Sequence, residues 1–368
     1  MNQAVGIKSI AVSFPKTVRT NDYFRENYPE LVEKAEQKSA AKAFSPDRNI
    51  SNGNEVDLWT QEMEPYLSDP FRGTVERRVL DPTESLLTLE YQAAKDALEA
   101  AKLSPMDIDL MIVSSMFSEQ PGVGNAASLA GKLGLRGAAW NLDSMCSGAI
   151  VALQTASAIV SMGVYRNVLI VVSCSYSRFV DENDTLGFFT GDGAAAFILT
   201  SVEANQGILS TKIINTAESC GAFFNELAID DLGQPRVFVR ADKKASHMFR
   251  DIFVKFCRTC CESAIADAGV TLDRIDFFVF NSLIPWYVNV YTRALGIHPE
   301  RTINLNPIYG NIAVASPIVN LYHAIQSGKV RENDLILMYA FGGTSNAAAT
   351  VMRVGKVALG PTSFNQGC

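Results

Sequence analysis

The chain has 368 residues, 48% hydrophobic and 19% charged, material for a sizeable core in one large domain or two fused ones. Its net charge of −7 offers no basic face to a phosphate backbone, which excludes nucleic-acid binding and leaves the acidity as an aid to solubility. No run reaches the roughly 18 apolar residues of a membrane helix, and Met1–Pro15 holds no cleavage-type segment. The seven cysteines are odd in number and scattered, as expected of reduced thiols in a cytoplasmic protein rather than a disulfide framework. Cys257, Cys260 and Cys261 fall within a helical pattern, and no second cluster completes a tetrahedral set. They read as core or helix-surface thiols, and no metal is expected.

Strand and helix signals alternate along the chain. Gly6–Phe14 reads as a strand, and Glu84–Ala101 as a helix with Thr83 or Asp81 available to cap it. Leu110–Ser115 is a short apolar run, the mark of a strand buried on both faces. Ala126–Leu133 reads as helix and Ala139–Leu142 as strand. Ser147–Met162 is an apolar, small-residue helix, and Asn167–Ser173 another buried strand. Ala194–Thr200 follows a glycine-marked turn, Gly191-Asp192-Gly193, and reads as a strand pairing back.

The second half repeats the order: strand 207–215, a long helix 249–268 closed by Gly269, strand 277–280 and helix 287–295. An apolar helix 313–327, a buried strand 335–340 and a closing strand 347–354 complete it. Like order in two halves points to an internal duplication, with sheets covered by helices. Asn27–Ser68 breaks the pattern. It is polar, with weak helical periodicity from Tyr28 to Lys42, and reads as a surface insert, either an ordered helical cap or a mobile loop.

Asp143-Ser144-Met145-Cys146-Ser147-Gly148-Ala149 is the most informative segment. A strand ends, Cys146 follows, and a helix of small residues begins. A cysteine at a helix N-terminus faces unpaired amides and the positive end of the dipole, which lowers its pKa and activates it as a nucleophile. A buried structural thiol is the competing reading.

This stretch resembles the nucleophile motif of ketoacyl-ACP synthase III, the starter-condensing enzyme of fatty acid synthesis. Four further segments carry the resemblance over nearly the whole chain apart from the insert: Ser13–Asn21, Phe189–Ala194, Tyr309–Pro317 and Ala340–Gly343. The resemblance implies an α/β thiolase fold, two duplicated halves (residues 1–200 and 201–368) in α-β-α-β-α layers, usually a homodimer. It implies Cys146 as the acyl-accepting nucleophile, with its N–H and that of Gly343 forming an oxyanion hole. Asn311 is then the donor toward the second substrate's carbonyl, a role compatible with helix capping. No tightly bound cofactor is implied. Acyl-CoA or an acyl carrier protein would deliver the acyl group.

The chain departs from that pattern in three places. Asn281 stands where the family carries its catalytic histidine; it can donate a hydrogen bond but cannot take a proton. Of the three histidines, His298 and His323 are poorly placed, and His247, opening the long helix, is the remaining candidate for the tunnel. Gly122, in the loop Ser118–Gly124, lies about where relatives place a phenylalanine capping the acyl pocket. Trp286 occupies the place of a basic residue that helps bind the carrier, leaving Arg293 as the positive charge there. Arg72, Arg77 and Arg78 are candidates for a nucleotide phosphate, against a default of solvated surface charge.

Three readings follow, beside a binding module without acyl chemistry, which would leave the motifs without purpose. The chain is an acyltransferase of specialised metabolism passing an acyl group through Cys146 to a non-malonyl acceptor. Alternatively it is a supporting subunit beside another thiolase-fold chain, as in phloroglucinol acetyltransferase complexes. Third, it is a decarboxylating ketosynthase using Asn281 in the histidine's place.

Overall fold

A computed structural model describes residues 3–43, 56–230 and 233–361. The first half runs β1 (Val5–Ser13), β2 (Thr17–Thr20), α1 (Asn21–Asn27), α2 (Pro29–Ala43), α3 (Val56–Met63), β3 (Glu76–Val79), α4 (Leu86–Ala101), β4 (Leu110–Met116), α5 (Ala126–Leu133), β5 (Ala138–Asn141), α6 (Gly148–Ser161), β6 (Val168–Ser175) and β7 (Asp192–Ser201). The second runs β8 (Gly207–Asn215), β9 (Phe223–Ile229), β10 (Pro235–Ala241), α7 (Ala245–Asp267), β11 (Phe277–Phe280), α8 (Tyr287–Leu295), α9 (Asn306–Tyr309), α10 (Ser316–Gln326), β12 (Leu335–Phe341), β13 (Asn346–Arg353) and β14 (Ala358–Leu359).

The two main sheets share one plan. The first has the order β14-β1-β7-β6-β4-β5 and the second β11-β12-β13-β8. In the first, β4 is parallel to β6, and β6–β7 and β7–β1 are antiparallel. In the second, β11 is parallel to β12, and β12–β13 and β13–β8 are antiparallel. The duplication expected from the order of elements is thus present in pairing and direction.

Side-chain alternation turns the sheets into layers. Ile170 and Val172 of β6 and Met338 and Ala340 of β12 enter one central cluster with residues of α6 and α10. Leu169 and Val171 face α4 on one outer side, while Leu337 and Tyr339 face α7 and α8 on the other. Strands buried on both faces must be apolar at every position, which is why LMIV, VLIVV and LILMY stand out in the sequence.

Several local expectations change. Ser85, not Thr83 or Asp81, caps α4, its hydroxyl accepting from the Thr88 N–H. Each central helix is preceded by a separate 3-10 turn, Met145–Ser147 before α6 and Ala313–Ala315 before α10. Both turns open on a non-glycine residue with positive φ, 50° at Met145 and 45° at Ala313. Such backbone persists only where its surroundings hold it, and its recurrence at equivalent places extends the duplication to the turns themselves. Gly191-Asp192-Gly193 is not a turn: β7 begins at Asp192, whose buried carboxylate accepts from the Leu80 and Ser177 N–H groups at 2.7 and 2.9 Å. Gly191 serves close approach, since a Cβ there would strike the Tyr309 carbonyl. The pairs β2–β3 and β9–β10 carried no signal read from the sequence.

The insert is more than a surface excursion. Its α2 covers the helical stretch expected from Tyr28, but α3 docks on α7 and α8. Trp59 of α3 is 2% exposed and meets Trp286, Tyr287 and Phe253 with ring centroids 4.7, 4.8 and 5.0 Å apart. Trp286 is equally buried, so this side chain lies in the core and not on the surface where a carrier-binding residue is expected.

Candidate active site

Cys146 sits in the 3-10 turn between β5 and α6, 5% exposed in the central layer. The turn is fixed by short-range polar bonds: the Met145 N–H donates to Asp143 Oδ1 at 3.1 Å, and Ser147 Oγ donates to the Ser144 carbonyl at 2.7 Å. Asn346 of β13 donates from Nδ2 to Ser144 Oγ at 2.9 Å, pinning the turn to the second sheet. The second sheet approaches closely, since a Cβ on Gly342 would lie 2.9 Å from Ser147 Oγ.

The thiol's electrostatics reverse the expected sign. Burial pushes the Cys146 pKa up to about 12, Asp143 adds in the same direction, and a hydrogen bond from its own backbone N–H only partly opposes them. Desolvation of a thiolate inside the core is the largest cause, and Cys146 lies on the 3-10 turn that precedes α6 rather than in its first turn. The activated thiolate expected from the sequence is therefore not a property of the folded chain alone.

Facing the turn, the loop after β12 carries Gly342 and Gly343. Gly343 takes φ +66°, and its carbonyl accepts from Ser219 Oγ. Its N–H finds no acceptor among the described residues, the condition an oxyanion donor requires. Asn281, fully buried at the end of β11, accepts from the Phe341 N–H at 2.9 Å through Oδ1. Its Nδ2 has no partner among the described residues. Asn281 thus anchors the backbone leading into the glycine loop and retains a free donor. Asn311 Oδ1 accepts from the Ala313 N–H at 2.9 Å, holding the first residue of the 3-10 turn and leaving the amide Nδ2 to make a separate contact. That Nδ2 donates to the hydroxyl of Tyr176 at 3.4 Å.

Tyr176 was missed by sequence reasoning. It directly follows β6, a strand buried at every position, and a tyrosine at such a strand end is a signal that could have been read. Asn346 was missed for a different reason: only the packing of the two sheets brings it to Ser144.

The remaining candidates lie apart from this group. Gly122 is in an exposed loop with φ +82°. His247 is exposed on the first turn of α7. Arg293 is exposed but engaged: it bonds Glu62 and Gln61 of the insert, both at 2.7 Å, so its charge is partnered. The arginine trio is not solvated surface charge. Arg72 is half-buried and donates to the Tyr66 carbonyl at 2.6 Å and Ser39 Oγ at 3.2 Å. Arg77 is fully buried, its pKa lowered to about 9 first by desolvation and then by Arg19. It donates to the Phe188 and Arg19 carbonyls and to Asn21 Oδ1. Arg78 is buried beside it. Arg77 thus ties β3 to β2 and to the segment before β7, while Arg72 ties its own loop to Tyr66 and α2. No cluster of metal-ligating side chains is found among the described residues, and no helix there is long and apolar enough to cross a membrane.

Comparison with known proteins identifies this arrangement. Residues 141–217 match the family model for 3-oxoacyl-[acyl-carrier-protein] synthase III, and residues 265–354 match its C-terminal model. The beta-ketoacyl-[acyl-carrier-protein] synthase III of Chelativorans sp. (strain BNC1) is 30% identical over 287 residues, 76% of this chain and 88% of that one. That of Aquifex aeolicus is 30% identical over 283 residues, with the same shares covered. The crystal structure of the Aquifex aeolicus enzyme superposes with a TM-score of 0.74 at 26% identity, covering 95% of this chain and all of that one. The duplicated sheets, the cysteine turn before the first central helix and these matches agree: the chain belongs to the ketoacyl-ACP synthase III family and has its thiolase fold.

Proposed function

We propose that the chain is an acyltransferase that takes an acyl group from a thioester onto Cys146 and passes it to a non-malonyl acceptor in specialised metabolism. What supports this is Cys146 in the central layer, the glycine loop after β12 packed against its turn, and an asparagine, Asn281, rather than a histidine anchoring that loop. Loading balances without a base: sulfur attacks the thioester carbonyl, the donor's C–S bond breaks, and the thiol proton leaves with the departing thiolate. Decarboxylating malonyl is a poorer match, because Asn281 is bound at Oδ1 and cannot accept or carry a proton. Coenzyme A or an acyl carrier protein serves as donor. A cytoplasmic homodimer is the expected form. Acetyl-CoA should leave a mass increment on Cys146 that Cys146→Ala abolishes, and malonyl-CoA should release no carbon dioxide. Absence of an adduct with any acyl-CoA would remove this reading.

Two observations favour a second reading, a supporting subunit within a hetero-oligomer containing another thiolase-fold chain. The Cys146 pKa is pushed up to about 12, and Arg293, the charge left for a carrier, is bound by the insert. Co-purification with a second subunit, and a complex still active with Cys146→Ala, would support it; turnover by the lone chain would refute it.

A further inference from the structure

We propose that Tyr176 is a catalytic residue of this site, donating its phenolic O–H to the acceptor's carbonyl or enol oxygen while Asn311 holds it in place. The inference rests on the acyl-transfer reading. Tyr176 is 5% exposed and lies in the same central layer as Cys146. Its ring packs against Phe117, centroids 5.0 Å apart, which fixes the direction of the hydroxyl. That oxygen accepts from Asn311 Nδ2 at 3.4 Å, so its own hydrogen remains to be given, and it has no acceptor among the described residues. Buried hydroxyls are seldom left in this state without a role. Tyr291 and Tyr339 also carry unpartnered hydroxyls, but their rings belong to the outer cluster packed with α7 rather than to the cluster that holds Cys146 and Tyr176.

Burial, then the neighbouring thiols Cys146 and Cys174, raise the Tyr176 pKa, so the phenol stays neutral and keeps a proton to share. With Asn281 in place of an imidazole, the site offers only neutral donors: the Asn281 and Asn311 amides and this phenol. Neutral donors suit an acceptor whose attacking carbon adjoins an oxygen that becomes negative when that carbon loses its proton, before attack.

The step balances with water as the proton carrier. The acceptor attacks as its enolate, having given its proton to water; its carbon bonds to the acyl carbon, the acyl C–Sγ bond breaks, and the released thiolate takes a proton back from water. Nothing is oxidised or reduced. Tyr176 keeps its proton throughout and stabilises the developing enolate electrostatically.

The test loads Cys146 from acetyl-CoA and follows discharge by intact-protein mass with two nucleophiles. Pentane-2,4-dione is an enolisable carbon acceptor, and hydroxylamine needs no enolate donor. In Tyr176→Phe, loading and hydroxylamine discharge should stay within about twofold of the unsubstituted chain, while discharge by the dione falls about 100-fold. Equal dione rates with and without the hydroxyl would overturn the proposal. So would a parallel fall in both discharge reactions, which marks a structural role, or failure of the dione to discharge the loaded unsubstituted chain. An unsubstituted chain that takes no acetyl group refutes the acyl-transfer reading itself, an outcome seen before Tyr176 is changed.

Discussion

Raising the pH tests the electrostatics of the nucleophile directly. The Cys146 thiol is pushed from 9 up to about 12, chiefly by burial. Three units correspond to a thiolate population about 1,000-fold smaller at neutral pH than an unshifted thiol would have, or roughly one molecule in 100,000 at pH 7. Alkylation by iodoacetamide, followed on the Cys146 peptide by mass spectrometry, should therefore rise about tenfold per pH unit and continue past pH 10. Exposed Cys220 serves as an internal reference. The pH dependence is the quantity to read, since burial slows reagent entry equally at every pH. A linked effect on stability has a definite sign. The folded pKa is raised, so the stability it confers is complete below about 9 and is lost as pH rises toward about 12. At about 1.4 kcal/mol per unit this amounts to roughly 4 kcal/mol, absent in Cys146→Ala. A Cys146 alkylation profile that levels off below pH 9 would show that the helix terminus, not desolvation, sets the thiol's chemistry.

Trp59→Ala should lower stability by about 3–5 kcal/mol, the usual loss for a buried aromatic, read as a shift in the urea midpoint at fixed protein concentration. A loss below about 1 kcal/mol would mean that α3 is a detachable cover. Gly191→Ala should be at least as damaging, because the added methyl meets the backbone carbonyl of Tyr309 rather than a movable side chain; a folded, undiminished variant would refute that close approach. Glu62→Gln should lower stability by under about 1 kcal/mol, since Arg293 is exposed and keeps its bond to Gln61 even though Glu62 is partly buried. Its effect should appear instead as stronger binding of Arg293 to an acidic carrier protein, and unchanged binding would show that this charge is not part of a carrier surface.

What the linear chain determined by itself is whatever depends on neighbours in sequence. Runs such as LMIV and LILMY must be strands buried on both faces, small residues after Cys146 must form a closely packed helix, and the motifs around Cys146, Asn311 and Gly343 announce the family. Tertiary structure decided what depends on distance through space. The Cys146 pKa rose rather than fell because desolvation by the surrounding layers is invisible in local sequence. Trp286 and Arg77, polar-surface candidates by position, are buried because the insert and the β2–β3 pair close over them. Tyr176 joins Asn311 across 135 positions only when two sheets pack about their central helices. Burial and long-range contact are properties of that packing, which no single segment contains.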